Sequence, residues 1–211
     1  MRFFDISYIA CTLWSYPLSY IELAGTLVGI VAVWLAIKQK NITWLLGLIN
    51  VSLFFLLFYQ VRLYANMLLQ VFFFITNIYG WYSWHKQNET HQKPIVLTTY
   101  MRWRLSVGIV LTSLLTGYCA QRIHIYLPQI FDKPASQPYP DAFIAIASMV
   151  GQILLTRRIT DNWYVWIAVN FVSTIVFFKQ GIYLVAFEYL LFLLLALKGS
   201  WDWHHSKQTS K

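Results

Sequence analysis

The stretch TDNWYVWIAVNF, Thr160 to Phe171, sets Trp163, Trp166 and Asn170 in the pattern Trp-x-x-Trp-x-x-x-Asn inside an otherwise apolar run. Ser173 extends the series, and spacings of three, four and three put all four side chains on one face of a helix. Indole rings offer a flat surface on which a planar heterocycle stacks, more strongly if it is cationic. An amide offers both a donor and an acceptor, which suits hydroxyls or a carboxamide without fixing a charge. This is the chemistry of binding. A second stripe, Asn66, Gln70, Asn77, Trp81 and Trp84, runs at spacings of four, seven, four and three. Ser148 and Gln152 stand one turn apart in another apolar run, and Asn50 sits within a fourth.

Catalytic machinery has no candidates. No paired acids, nucleophile with its base, or metal-spaced histidine cluster falls within the apolar runs, and His204 and His205 belong to a tail. Glycine fingerprints for phosphates or dinucleotides are absent too, so no cofactor or metal and no enzyme activity is expected. Cys11 and Cys119, 108 residues apart, read as buried small hydrophobes and not as a bridge. Glu188 is the one acid deep in an apolar run. It could face a ligand, form a protonated bond between helices, or pair with Arg62 or Lys179. Glu22 and Asp161, at helix starts, read as structural or rim residues.

The elements that position these groups follow from composition. Of 211 residues 58% are hydrophobic and 11% charged, against about a quarter charged in a soluble domain. Seven apolar runs of bilayer-crossing length are expected, at 20–37, 42–60, 63–84, 104–121, 142–157, 162–179 and 182–199. They are continuously apolar instead of alternating, which gives an all-α polytopic membrane protein and not a barrel. Residues 1–19 form an interfacial segment with no clear signal-peptide pattern.

Asn41–Tyr64 aligns with Asp161–Tyr183, bringing Asn50 opposite Asn170 and Gln60 opposite Gln180, and GWYSWH (Gly80 to His85) aligns with GSWDWHH after a one-residue gap. Two three-helix units, 20–84 and 142–203, are therefore expected around a central stretch 85–141 that contains a linker helix, with a tail at 204–211. With one intervening helix the units run parallel, a 3+1+3 plan known among transporters, with substrate near the midplane. Lysine and arginine fall eleven to five in favour of the side that carries the carboxyl terminus, which places that terminus in the cytoplasm and the amino terminus outside. The net charge of +8 is thus a topology signal, and nucleic acid is not a partner.

Each polar residue has an ordinary alternative role as interhelical glue, and Trp81, Trp84, Trp201 and Trp203, beside charged tails, read as an interfacial belt. Gly25 and Gly29 mark close helix contact within the bundle or between protomers. A seven-span receptor would fit the span count but does not require a parallel duplication.

The Trp163-x-x-Trp166-x-x-x-Asn170 arrangement resembles the signature of the PnuC family of bacterial vitamin transporters. ELAGTLVGIVAVWLA (Glu22 to Ala36) and NIYGWYSW (Asn77 to Trp84) look like that family's first and third spans, and the likeness covers roughly residues 20 to 204. The resemblance implies a 3+1+3 fold similar to SWEET sugar transporters. It also implies import of nicotinamide riboside through the inner membrane by facilitated diffusion, trapping by a cytoplasmic kinase, and a homotrimer in membrane lipid. It carries over Trp163, Trp166 and Asn170 as substrate contacts. Asn50, Asn66, Gln70, Asn77, Gln152, Ser173 and Glu188 complete the candidate set around them. Related branches take thiamine or riboflavin, and the residues alone stop at an uncharged-polar and aromatic midplane site.

Overall fold

The computed structural model describes residues 5–13, 16–60, 64–89, 93–126 and 137–205. Outside them fall Arg2, Arg62, Lys133, Lys207 and Lys211 of the charge comparison, residues 127–136 of the central stretch and most of the tail. The described residues form β1 (Ile9–Leu13), β2 (Tyr16–Ser19), α1 (Tyr20–Ile37), α2 (Thr43–Gln60), α3 (Tyr64–Glu89), α4 (Thr99–Tyr126), α5 (Pro138–Thr156), α6 (Asn162–Lys179) and α7 (Tyr183–His205).

The ends of these helices have local causes. Ser19 caps α1 by accepting from the Glu22 amide at 3.3 Å, and Glu22 in turn accepts from the Tyr16 hydroxyl at 2.9 Å. Burial, and then that bond to Glu22, push the Tyr16 hydroxyl up to about 12, so it remains a donor at neutral pH. Pro138 stands at the start of α5, where its missing N–H costs nothing. The helices α1, α5 and α6 all stop in the same way: a residue with left-handed φ follows the last turn, and the next amide reaches back five residues. These are Gln39 (φ 53°), Arg158 (φ 51°) and Gly181 (φ 76°), with bonds Lys40 N to Leu35 O, Ile159 N to Leu154 O and Ile182 N to Phe177 O, each 2.9 to 3.0 Å.

Helices α1 and α6 coincide with expected spans, but α3, α4, α5 and α7 outrun theirs, α3 to Glu89 and α7 to His205. An apolar run measures the length immersed in hydrocarbon, whereas the helix continues into water while its backbone bonds can form. Five helices, α1, α2, α4, α5 and α7, are long and apolar enough by themselves to cross a bilayer. Those below that mark, α3 and α6, carry the two polar stripes. The amino-terminal segment, expected as an interfacial stretch, is an antiparallel hairpin fixed to α2 through the Ile6 amide and Gln60 Oε1 at 2.9 Å. Cys11 and Cys119 are free, as expected, but exposed and not buried.

Packing is sequential inside two groups, α1–α2–α3 and α5–α6–α7, and the groups meet where α1 touches α7 and α3 touches α5. Gly25 and Gly29 serve contact within the bundle: added Cβ atoms would lie 3.0 Å from Phe54 and 2.9 Å from Asn50, both on α2. Helix α4 packs on α5.

At one end of the bundle four tryptophans join the groups. Trp44 meets Trp84 edge-on at 5.1 Å, Trp163 meets Trp203 edge-on at 5.6 Å, and Trp84 and Trp203 lie 6.1 Å apart. Trp84 Nε1 donates to Leu155 O (3.0 Å) and Trp203 Nε1 to Ile37 O (3.1 Å). Both rings are wholly buried, so neither belongs to the expected interfacial belt, while Trp81 and Trp201 are exposed.

The segment before α4 is strapped to the same end. Ile95 N donates to Arg158 O (2.9 Å), Thr160 N to Ile95 O (2.8 Å) and Leu97 N to Asp161 Oδ2 (2.8 Å), and Arg102 pairs with Asp161. Arg158 donates to Asn88 and lies 4.6 Å over the Trp84 ring. Burial draws the Arg158 guanidinium below its ordinary value, but its cation keeps these two partners. The α1–α2 turn, the α3–α4 connection, the α5–α6 turn and the end of α7 thus share one end of the bundle.

Glycine is required where indoles lie on helix backbones. A Cβ at Gly80 would come within 2.5 Å of the Trp44 ring, and one at Gly199 within 2.7 Å of the Trp163 ring. Gly80→Ala and Gly199→Ala are each expected to destabilise the fold by about 1–3 kcal/mol, the scale of overpacking. Thermal unfolding of the detergent-solubilised protein, followed by size-exclusion chromatography, checks this.

Candidate functional site

The antiparallel pair α5 and α6 builds the site. Gln152 and Trp166 lie equally far from the tight turn between them, and Ser148 and Asn170 lie one turn further along. The Trp166 indole lies against Gly151, where an added Cβ would sit 3.2 Å from the ring, so glycine brings the indole onto α5 next to Gln152. Trp166 is half-buried and touches both hydrophobic clusters, the four-tryptophan one and that of Ile109, Ala147 and Val169.

Hydrogen bonding separates the candidate residues into two kinds. Asn50 Nδ2 donates to Gly25 O on α1 (2.7 Å). Asn77 Nδ2 donates to Phe73 O of its own helix (2.7 Å), and its Oδ1 closes on Gly47 of α2. Glu188 accepts from Thr26 Oγ1 (3.2 Å), which joins α7 to α1; Lys179 is exposed, and Arg62 lies outside the described residues. Those groups are engaged in helix packing. Asn170 and Gln152 are 5% and 8% exposed, and among the described residues neither side-chain amide has a hydrogen-bond partner. Gln70, half-buried on α3, is unpartnered in the same sense. These amides keep at least a sliver of exposure and are uncommitted, so a ligand can meet them, whereas Trp163 Nε1 is fully buried without a partner.

The structure also divides the expected set in space. Trp163 stands in the first turn of α6, 2% exposed and edge-on to Trp203, within the aromatic cluster at the bundle end. Trp166, Asn170 and Ser173 follow it deeper along the same helix, with Ser173 fully buried. Asn66 is exposed and does not join them. Asn50 and Asn170, aligned in sequence at a separation of 120, meet different surroundings, since Asn50 bonds Gly25 O and the Asn170 amide has no such partner among the described residues. Features at the helix ends match at a separation of 119 residues (Gln39 with Arg158, Trp44 with Trp163, Gly80 with Gly199, Trp84 with Trp203), which puts Val51 opposite Asn170. One residue is a rotation of about 100° on a helix. Asn50 therefore turns toward α1 and finds a carbonyl there.

Sequence reasoning missed the buried roles of Trp84, Trp203 and Arg158. A usable signal existed for the first two, since both close a repeated Gly-x-x-x-Trp pattern (Gly80 to Trp84, Gly199 to Trp203) and a belt residue needs no fixed distance from a glycine. Arg158 left no signal beyond its charge. Among the described residues no cluster of side chains could hold a metal ion.

Inward amides and an indole within a bundle of apolar helices describe a polytopic membrane carrier for a small polar molecule. Residues 19–205 match the model of the nicotinamide mononucleotide transporter family, and the chain belongs to that family. It is 34% identical to the nicotinamide riboside transporter PnuC of Escherichia coli (strain K12), over 90% of this chain and 87% of that one. It is 22% identical to the riboflavin/roseoflavin transporter RibM of Streptomyces davaonensis, over 92% of this chain and 89% of the relative. The crystal structure of the vitamin B3 transporter PnuC has the same fold, with a TM-score of 0.67, 24% identity and coverage of 91% of this chain and 83% of that one. The chain is a membrane transporter and not an enzyme.

The two kinds of amide should separate on mutation. Asn50→Ala removes a satisfied interhelical bond and is expected to lower stability by about 0.6–1.7 kcal/mol. Asn170→Ala removes an unpartnered amide and is expected to leave thermal stability unchanged or raised. Melting curves of both variants in one detergent check the contrast.

Proposed function

We propose that this chain imports nicotinamide riboside across the bacterial inner membrane by facilitated diffusion, as an alternating-access uniporter whose cargo is trapped by phosphorylation in the cytoplasm. The observation that carries this reading is the pair of buried, unpartnered amides of Asn170 and Gln152 beside the Trp166 indole. A cationic pyridinium ring stacks on the indole, and ribose hydroxyls and a carboxamide take up the amides, with Gln70 contributing from α3. Ser173 lies further along the same face. Trp163 backs the site from the aromatic cluster, while Asn50, Asn77 and Glu188 hold the helices that frame it.

The moving parts in this reading are two parallel three-helix repeats, α1–α3 and α5–α7, with α4 as the linker of a 3+1+3 plan. Its support is the set of features recurring at 119 residues: the left-handed residues Gln39 and Arg158, their matching turn bonds, and the paired tryptophans and glycines. The end with the basic segments faces the cytoplasm, so the amino-terminal hairpin lies outside and the carboxyl terminus inside. The working unit is a homotrimer in membrane lipid.

The likeness to a riboflavin transporter makes the substrate the first thing to test. Calorimetric titration of the purified protein is expected to show saturable binding of nicotinamide riboside and none of thiamine or riboflavin. Binding of another vitamin in its place would keep the site and move the substrate. Trp166→Ala is expected to weaken riboside binding by about 1–3 kcal/mol, the scale of a lost base–aromatic stack. Uptake into sealed liposomes with no ion or pH gradient tests the uniport; uptake that requires a proton gradient would overturn it.

A further inference from the structure

Trp84 and Trp203 are wholly buried although Trp84 closes the apolar stretch of α3 and Trp203 lies past that of α7. Each indole N–H reaches out of its own three-helix group to a carbonyl in the closing turn of the other group's first helix. Trp84 takes Leu155 O at 3.0 Å, and Trp203 takes Ile37 O at 3.1 Å. The two rings, 6.1 Å apart and flanked by Trp44 and Trp163, close the bundle from one group to the other.

The unpartnered amides of Gln152 and Asn170 lie on the far side of this cluster from the basic segments. A solute that leaves them toward the basic end meets Trp84 and Trp203. We infer that Trp84 and Trp203 are the gate of the transport path at that end, closing it by their crossed hydrogen bonds and opening it when the two groups part. The inference rests on the transporter site proposed above. Its chemistry suits a gate, because each bond is exchanged for one to water as the end opens, and a bond of this kind holds only modestly. The two leaves differ: Arg158 covers the Trp84 ring and is held by Asn88, whereas its counterpart Gln39 brings no cation. The Trp84 leaf is the stiffer.

The test places a thiol behind the gate. Ala196 is 1% exposed and two helical turns inward from Trp203 on the same face of α7. In a Cys11→Ser/Cys119→Ser background, Ala196→Cys is labelled by a membrane-impermeant maleimide from the basic end, and riboside binding is measured on the same samples by calorimetry. With Trp84→Phe/Trp203→Phe, which keeps the rings and removes both N–H donors, labelling is expected to speed up about tenfold or more, from two modest bonds lost. With both tryptophans intact, saturating riboside is expected to change the labelling rate several-fold. The second readout decides the matter if the double variant does not fold. Unchanged labelling in both comparisons, with riboside bound, would overturn the gate and leave a static seal. Absence of riboside binding to the unaltered protein would count against the substrate reading, while the effect of the double variant on labelling would still report on the gate.

Discussion

A helix ends in carbonyls that its own backbone cannot satisfy, and within a packed bundle water does not reach all of them. The structure depends on how two of these are met. Ile37 O at the close of α1 accepts an indole N–H from the opposite three-helix group, and so does Leu155 O at the close of α5, which also takes the Arg158 amide of its own turn at 3.0 Å. To deliver those indoles, α3 must reach the very end of its apolar stretch and α7 must run on past its own. To let the indoles sink, Trp44 and Trp163 must lie flat on helix backbones, which Gly80 and Gly199 permit. To present the carbonyls squarely, α1 and α5 must stop sharply, which the left-handed Gln39 and Arg158 achieve at some conformational cost. Sharp turns, bare helix surfaces and long terminal turns are parts of one arrangement.

The same scarcity of water sorts the interior polar groups. Apolar surroundings reward an amide for any partner, and Asn50 and Asn77 have found theirs in helix backbones, where they hold α2 to its neighbours. Asn170 and Gln152 have not, and they flank the one indole that touches both hydrophobic clusters. Helices α3 and α6, which line this interior most directly with polar groups, are the two whose own composition falls short of a free-standing membrane span. They cross as members of a bundle, with their polar faces covered by the helices beside them.

Much of this was legible in the sequence. Hydropathy located seven helices, and periodicity put Trp166, Asn170 and Ser173 on one buried face of α6. What it could not show is whether an amide is already engaged, because Asn50 and Asn170 look alike until a rotation of one residue turns the first toward Gly25 O. Asn66 kept the spacing of its stripe yet lies exposed near the start of α3, since spacing fixes a face and not how far the neighbouring helices cover it. Trp84 and Trp203 read as belt residues because sequence places them at span ends. Their burial comes from partners 71 and 166 residues away, which no local pattern reports. The amino-terminal hairpin was missed for a related reason: five-residue and four-residue strands carry little periodic signal of their own.

Helix α4 rests on α5, and the chain leading into it is stitched to the α5–α6 turn by Ile95, Leu97 and Arg102. Helices α4 to α7 are thereby packed in one series, while the hairpin, α1, α2 and α3 form another. Asn88 and Ile95, described residues on either side of the link between the groups, both bond to Arg158, beside the Trp84 ring. Parting of the groups at this end would therefore be felt first at Arg158, whose side chain holds α3 while its carbonyl holds the chain that leads into α4.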